Sequence, residues 1–282
     1  MHNHACMLKK LLLHLAFALG CACSFLFSPT QGFSRGLPSS DTSAEPPKVL
    51  HTEGLLHGFL VLRSLEGEVL ADGEFTQSAH GDRVTIHLVF RFKDTSFYEE
   101  DVIFSQRRVF HLLSYHLTQK GPAFKPPMEC SLDGATGQAT VHYTDNEGKE
   151  KTESERMKIQ PDLANGMLTT LIKDIQPNTG EMRLSLVVAT PKPRLVKLLI
   201  SEEGEDRLSL GNSRHKATRY RVKFEIAGIA GVVVPLVGKQ PPDLRIWVLG
   251  GEAPVFLKSE GPLYNGGPVW RIELTNPVWQ NH

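Results

Sequence analysis

The chain has 282 residues, and its 31 Lys plus Arg balance 31 Asp plus Glu. A neutral sum supplies no electrostatic drive towards a polyanion, which argues against nucleic acid as a partner, and no long basic run steers the chain to anionic lipid. Three of the cysteines, Cys6, Cys21 and Cys23, lie near the N-terminus and leave Cys130 alone in the remainder, which excludes a disulfide framework or a multi-cysteine zinc site there.

Lys9 and Lys10 precede an apolar run from Leu11 to Phe27. A basic segment followed by an apolar one is the pattern of a secretory signal, here assigned to residues 1–32. Three fates compete: ordinary cleavage near Ala22 or after Gly32, an uncleaved anchor, or lipoprotein processing at Phe17-Ala18-Leu19-Gly20-Cys21 with Cys21 acylated. All three predict an exported protein, periplasmic or envelope-associated, with membrane association through the N-terminus. Residues 33–50 carry Pro38-Ser39-Ser40 and Pro46-Pro47 and read as a flexible tether. Residues 51–282 read as a single antiparallel β domain.

From Leu55 onward the hydrophobic period is two. Val84, Ile86, Leu88 and Phe90 alternate with Thr85, His87, Val89 and Arg91, so one strand runs from Arg83 to Phe92. The same reading gives strands over Leu56–Ser64, Val69–Gln77, Phe97–Ser105, Val109–Thr118 and Gln138–Tyr143. Turn residues such as Glu66-Gly67 and His80-Gly81-Asp82 separate them, and such short connections imply hairpins. A helix is predicted near 161–175, opened by Pro161 and carrying Leu163, Met167, Leu168, Leu171, Ile172 and Ile175 as one apolar stripe. Strands then resume over Met182–Ala189, Arg194–Ser201, Arg207–Leu210, Ala217–Ile226, Leu244–Leu249, Val255–Ser259 and Val269–Leu274. The fold class is mainly β: a large curved antiparallel sheet, half-barrel-like, with one amphipathic helix packed on it.

The pieces Asp243-Leu244-Arg245-Ile246-Trp247-Val248, Ala253-Pro254-Val255-Phe256-Leu257-Lys258 and Trp270-Arg271-Ile272-Glu273-Leu274 resemble the C-terminal end of a bacterial exported family of unknown function. This is the 3108-like group, related to the lipoprotein-carrier half-barrels. The resemblance implies an exported location and a curved sheet that wraps a helix and leaves an apolar concavity. It implies no catalytic residues. The apolar stretch Ala227–Gly238 departs from the family pattern.

That stretch has two readings. It is either a lip that closes over a greasy ligand or a buried crossover of small residues, with glycines at 228, 231 and 238 permitting close approach. On the first reading an apolar ligand site is lined by Leu168, Leu171 and Ile172 of the helix and by Ile229, Val232, Val233 and Leu236. Glu99-Glu100-Asp101 reads as a solvated acidic cluster at a strand start, and Tyr264, Trp270, Trp279 and Trp247 read as an aromatic group that closes a core edge. The sequence has no His-Glu-x-x-His, Cys-x-x-Cys, Gly-x-Ser-x-Gly, Gly-x-Gly-x-x-Gly or acidic calcium loop, so no catalytic, metal or cofactor site is assigned. The function read from the sequence is a non-catalytic cell-envelope protein, not an enzyme, that binds a lipid or acylated partner in the concave face of a half-barrel. An envelope assembly module binding a protein partner is the alternative, and a hydrolase acting on envelope polymers is a third. The oligomeric state is left open.

Overall fold

The computed structural model describes residues 46–175, 180–210, 213–225 and 241–275. The expected signal segment with Cys21, and Ile229, Val232, Val233, Leu236 and Trp279, lie outside the described residues. The elements in chain order are β1 (Leu56–Arg63), β2 (Val69–His80), β3 (Arg83–Phe92), β4 (Phe97–Gln106), β5 (Phe110–Lys120), β6 (Met128–Asp133), β7 (Gln138–Thr144) and β8 (Glu150–Arg156), then α1 (Leu168–Lys173). They continue with β9 (Met182–Val188), β10 (Arg194–Leu210), β11 (Ser213–Glu225), β12 (Leu244–Leu249), β13 (Val255–Pro262) and β14 (Val269–Thr275).

The strands form one 14-stranded antiparallel sheet, in the order β8-β7-β6-β5-β4-β3-β2-β1-β14-β13-β12-β11-β10-β9. Every neighbour in that order is also a chain neighbour except one pair: β1 meets β14, with Phe59 opposite Thr275 and Arg63 opposite Arg271. The sheet therefore consists of two meanders joined at the first and last strands, and it does not close into a barrel. Its two edges, β8 and β9, are consecutive in sequence and are linked by the segment that carries α1.

The edges are handled differently. All seven residues of β8, Glu-Lys-Thr-Glu-Ser-Glu-Arg, are exposed, and dense charge of this kind discourages edge-to-edge pairing. The edge of β9 is covered by the linking segment. Ala164 donates to the Ser185 carbonyl and Ser185 to that of Asp162, while the Asn165 side chain donates to the Val187 carbonyl and accepts from its N–H, both at 2.8 Å. Asn165 thus substitutes for the strand partner that β9 lacks.

This capping limits the helix. The stripe predicted over 161–175 is helical only from Leu168 to Lys173, because Asp162–Asn165 run beside β9 and Gly166 turns with a φ of 65°. Leu163, Ala164, Met167, Leu171 and Ile172 still reach the core and are fully or almost fully buried. Each large apolar side chain buried in this way contributes about 1.5–3 kcal/mol. Phe124, from the loop between β5 and β6, enters the same core, edge-on to Phe92 at 5.3 Å and to Tyr264 at 5.1 Å. Trp270 joins this group, 5.9 Å from Tyr264. Trp247 does not. It lies on the opposite face with Ala217 and Leu257, where its indole N–H donates to Asp206 at 2.7 Å and Lys258 stands over its ring. The single aromatic group read from the sequence is therefore split by the parity of β12. Cys130 is buried, and burial pushes its thiol up to about 12, the state of a packing residue rather than a nucleophile.

Three strands differ from the sequence reading by more than a few residues at an end. The two pieces Arg194–Ser201 and Arg207–Leu210 are one 17-residue strand, β10, held through Glu202–Asp206 by pairing to β11 across a bulge. Strands β6 and β8 were not anticipated. Among the described residues no helix is long and apolar enough to cross a membrane.

Gly166 tests the linking segment. A Cβ there would collide with Val102 and crowd the Tyr115 ring, at a positive φ. Gly166→Ala is expected to lower stability by about 2 kcal/mol or more in urea denaturation, whereas Gly67→Ala, with open space around it, is expected to cost about 1 kcal/mol from its positive φ alone.

Candidate functional site

On the concave face of the sheet the Glu100 carboxyl stands among apolar side chains. Alternation along β4 turns Tyr98, Glu100, Val102 and Phe104 inward, and Glu100 lies between its register partners Leu88 of β3 and Leu117 of β5. The Tyr98 hydroxyl donates to Glu100 Oε1 at 2.5 Å, and the Tyr115 hydroxyl donates to the same oxygen at 2.9 Å. Neither donates to Oε2. Burial raises the Glu100 carboxyl above the usual carboxylate range, and the two phenol bonds act in the opposite direction. Burial likewise raises both phenols, reinforced by the adjacent carboxylate.

Glu100 is half-buried, as are Phe75 and Leu88 beside it. Phe256, Ile272 and Leu274, from β13 and β14, are also half-buried and pack on the same core. Half-buried apolar side chains such as Phe75 and Leu88 can take an apolar body, while the Glu100 oxygen left free by the tyrosines can accept a hydrogen bond from a polar head. The acidic triplet read from the sequence as one solvated cluster is thus divided by the pleat. Glu99 and Asp101 point outward, and Glu100 points in. The signal that could have separated them was present, since Tyr98, Val102 and Phe104 mark the inward parity on which Glu100 falls.

Of the residues predicted to line an apolar site, Leu171 and Ile172 are fully buried in the core and Leu168 is half-buried. The other four lie outside the described residues.

A polar cleft of about 350 Å³ lies at the N-terminal end of the domain, lined by Leu50, His51, Thr52, Glu53, Lys173, Glu252, Ala253 and Pro254. Here the last part of the expected tether is docked. Lys48 bridges to Val109, and the Leu50 and His51 N–H groups donate to Asp174 Oδ1 at 2.5 and 2.7 Å. Glu53 is buried. Its N–H donates to Gln106, its carboxylate accepts from Gln77 at 2.8 Å, and Lys173 pairs with it at 2.5 Å. These bonds fasten residues 50–53 to α1 and to β2 and β4, so the cleft's polar groups are largely occupied in holding the chain.

Burial raises the Asp174 carboxyl above its ordinary range, against the pull of the Leu50 and His51 N–H bonds. A carboxyl raised in the folded state holds a proton that the unfolded chain releases. Stability is therefore expected to fall as pH rises from about 4 through the raised value. Asp174→Asn keeps an oxygen that accepts both N–H groups and removes the titration. Thermal melting against pH is expected to show that decline in the wild type and a flatter profile, with a higher Tm at neutral pH, in the variant.

No family model matches the chain, and no curated protein matches it. Among solved structures it is similar to one titled the crystal structure of a β-barrel-like protein of Domain of Unknown Function DUF1849 from Brucella abortus, at 10% identity and a TM-score of 0.47, over 82% of this chain and 100% of that one. Membership of the 3108-like group accordingly stands as a resemblance of sequence pattern.

Proposed function

We propose that the protein is a non-catalytic, exported component of the bacterial cell envelope that holds a lipid or an acylated partner against the concave face of its open sheet. The observation that carries this reading is the half-buried apolar pair Phe75 and Leu88 in register with the tyrosine-held carboxyl of Glu100, with Phe256, Ile272 and Leu274 also half-buried on the same core. Most of the concave surface is filled by Phe124 and by the segment from Leu163 to Ile172, so the ligand occupies the remaining half-buried surface rather than a through-channel. Leu168 and the apolar stretch Ala227–Gly238 are the further elements that this reading assigns to the site. The basic-then-apolar N-terminus supports export.

Full-length protein purified from cell envelopes is expected to carry lipid, seen as discrete mass increments in native mass spectrometry. It is also expected to enhance the fluorescence of an uncharged naphthylamine probe. Leu88→Asp places a charge on that surface and is expected to abolish probe binding, while Phe59→Asp, on the opposite face of β1, leaves it unchanged. Lipid-free protein together with equal probe binding by wild type and Leu88→Asp would contradict the reading. Recovery of a reproducible protein partner with no lipid would favour an assembly module instead.

A further inference from the structure

We propose that the convex face carries a divalent metal site of the zinc type, formed by His87 of β3 with Glu99 and Asp101 of β4. The three residues come together through strand register. His87 stands directly opposite Asp101, and Val89, two residues on, stands opposite Glu99. One ligand atom from each of the three lies within 4.8 Å of the others. His87 Nδ1 is 2.9 Å from Asp101 Oδ1, and Nε2 is 3.7 Å from Glu99 Oε1.

The two spacings differ in meaning. The first is a hydrogen bond in the absence of an ion, and two donors 2.9 Å apart can also share one ion with bonds of about 2.1 Å, the ion taking the place of the Nδ1 proton. The second is too long for a hydrogen bond, so the ring does not hold the Glu99 carboxylate in place. A turn of the Glu99 side chain, one of whose oxygens lies within 4.8 Å of the other two ligand atoms, brings the third donor to that ion. His116 of β5, the register partner of Asp101 on its other side, stands on the same face. One imidazole with two carboxylates suits a borderline first-row ion better than magnesium or calcium, which favour all-oxygen shells.

Charge gives a second, independent reason. Among the described residues neither Glu99 nor Asp101 is paired with a lysine or arginine; the partner of both is His87. On β10 to β14 the clustered carboxylates are matched by cations. Glu203 lies 2.9 Å from both Arg219 and Arg245, Asp206 lies 2.6 Å from Arg219, and Glu260 lies within 3.3 Å of Lys258 and Arg271. The convex face also contains its own comparison. His57 with Glu74, and His116 with Glu129, make one imidazole–carboxylate contact each, at 3.0 and 2.9 Å, and among the described residues neither has a second carboxylate within 4.0 Å.

The experiment is calorimetric titration of zinc chloride into full-length protein purified without a histidine tag and treated with chelator. The N-terminal His2, His4 and Cys6 can themselves bind zinc, so the variants decide the location. The wild type is expected to bind zinc at micromolar Kd or tighter at a site that His87→Ala and Asp101→Asn each weaken at least tenfold. His57→Ala is expected to leave that site unchanged. Zinc should also raise the Tm of the wild type and not that of His87→Ala, whose circular dichroism should match the wild type. Absence of binding, or binding of equal affinity in wild type and in a folded His87→Ala, would overturn the proposal, the latter by placing the ion elsewhere.

Discussion

The pairing of β1 with β14 is the constraint on which the rest of the molecule depends. Every other strand pairing joins chain neighbours. The β1–β14 ladder brings together residues more than 200 positions apart, including Arg63 and Glu273, whose side chains meet at 3.2 Å. Closing so long a loop is costly in chain entropy but rises only slowly with length. The return is a continuous core in which Leu60 and Leu62 of β1 meet Leu274 and Ile272 of β14. The same ladder moves the free edges to β8 and β9, next to the segment that covers one of them.

The pleat then assigns chemistry to the two faces. In Glu99-Glu100-Asp101, three adjacent carboxyls of similar intrinsic acidity are separated into different surroundings by a period of two. The inward one is desolvated and held by two phenols, and the outward pair faces a histidine. The convex face is itself divided. Strands β1 to β7 present imidazoles opposite carboxylates, and β10 to β14 present arginines and lysines opposite carboxylates. The latter hold Glu203 and Asp206 below the usual carboxylate range, through hydrogen bonds from Arg245 and from the Trp247 indole respectively.

Much of this was legible in the sequence because alternation is a direct imprint of a one-sided sheet. Arg83–Phe92 and Leu244–Leu249 were read with the bounds they have, and most other strands to within a few residues. What escaped has physical causes. Strand β8 has no apolar residue, so it left no hydrophobic period; it is held by its ladder to β7. Strand β6 does alternate, with Met128, Cys130 and Leu132 buried, but it is only six residues long and follows two prolines. The helix was overread because spacing of three to four is produced equally by a helix and by a turn that feeds one. Asp162 and Asn165, bonded to Ser185 and Val187 of β9, and Gly166, packed against Val102 of β4 and Tyr115 of β5, decide between them through contacts that no local pattern displays. The site residues share this limit: Glu100, His87 and Tyr115 lie on three strands, and only register shows that they are neighbours or that they stand on opposite faces.

Amide hydrogen exchange followed by peptide-resolved mass spectrometry tests the joined sheet most directly. The account predicts that Phe59–Arg63 and Arg271–Thr275 are as strongly protected as the centres of β3 and β4 and open with them in one cooperative step, while the outer edge of β8 exchanges early. Rapid exchange in β1 and β14, or separate opening of the β2–β8 and β9–β13 halves, would contradict it.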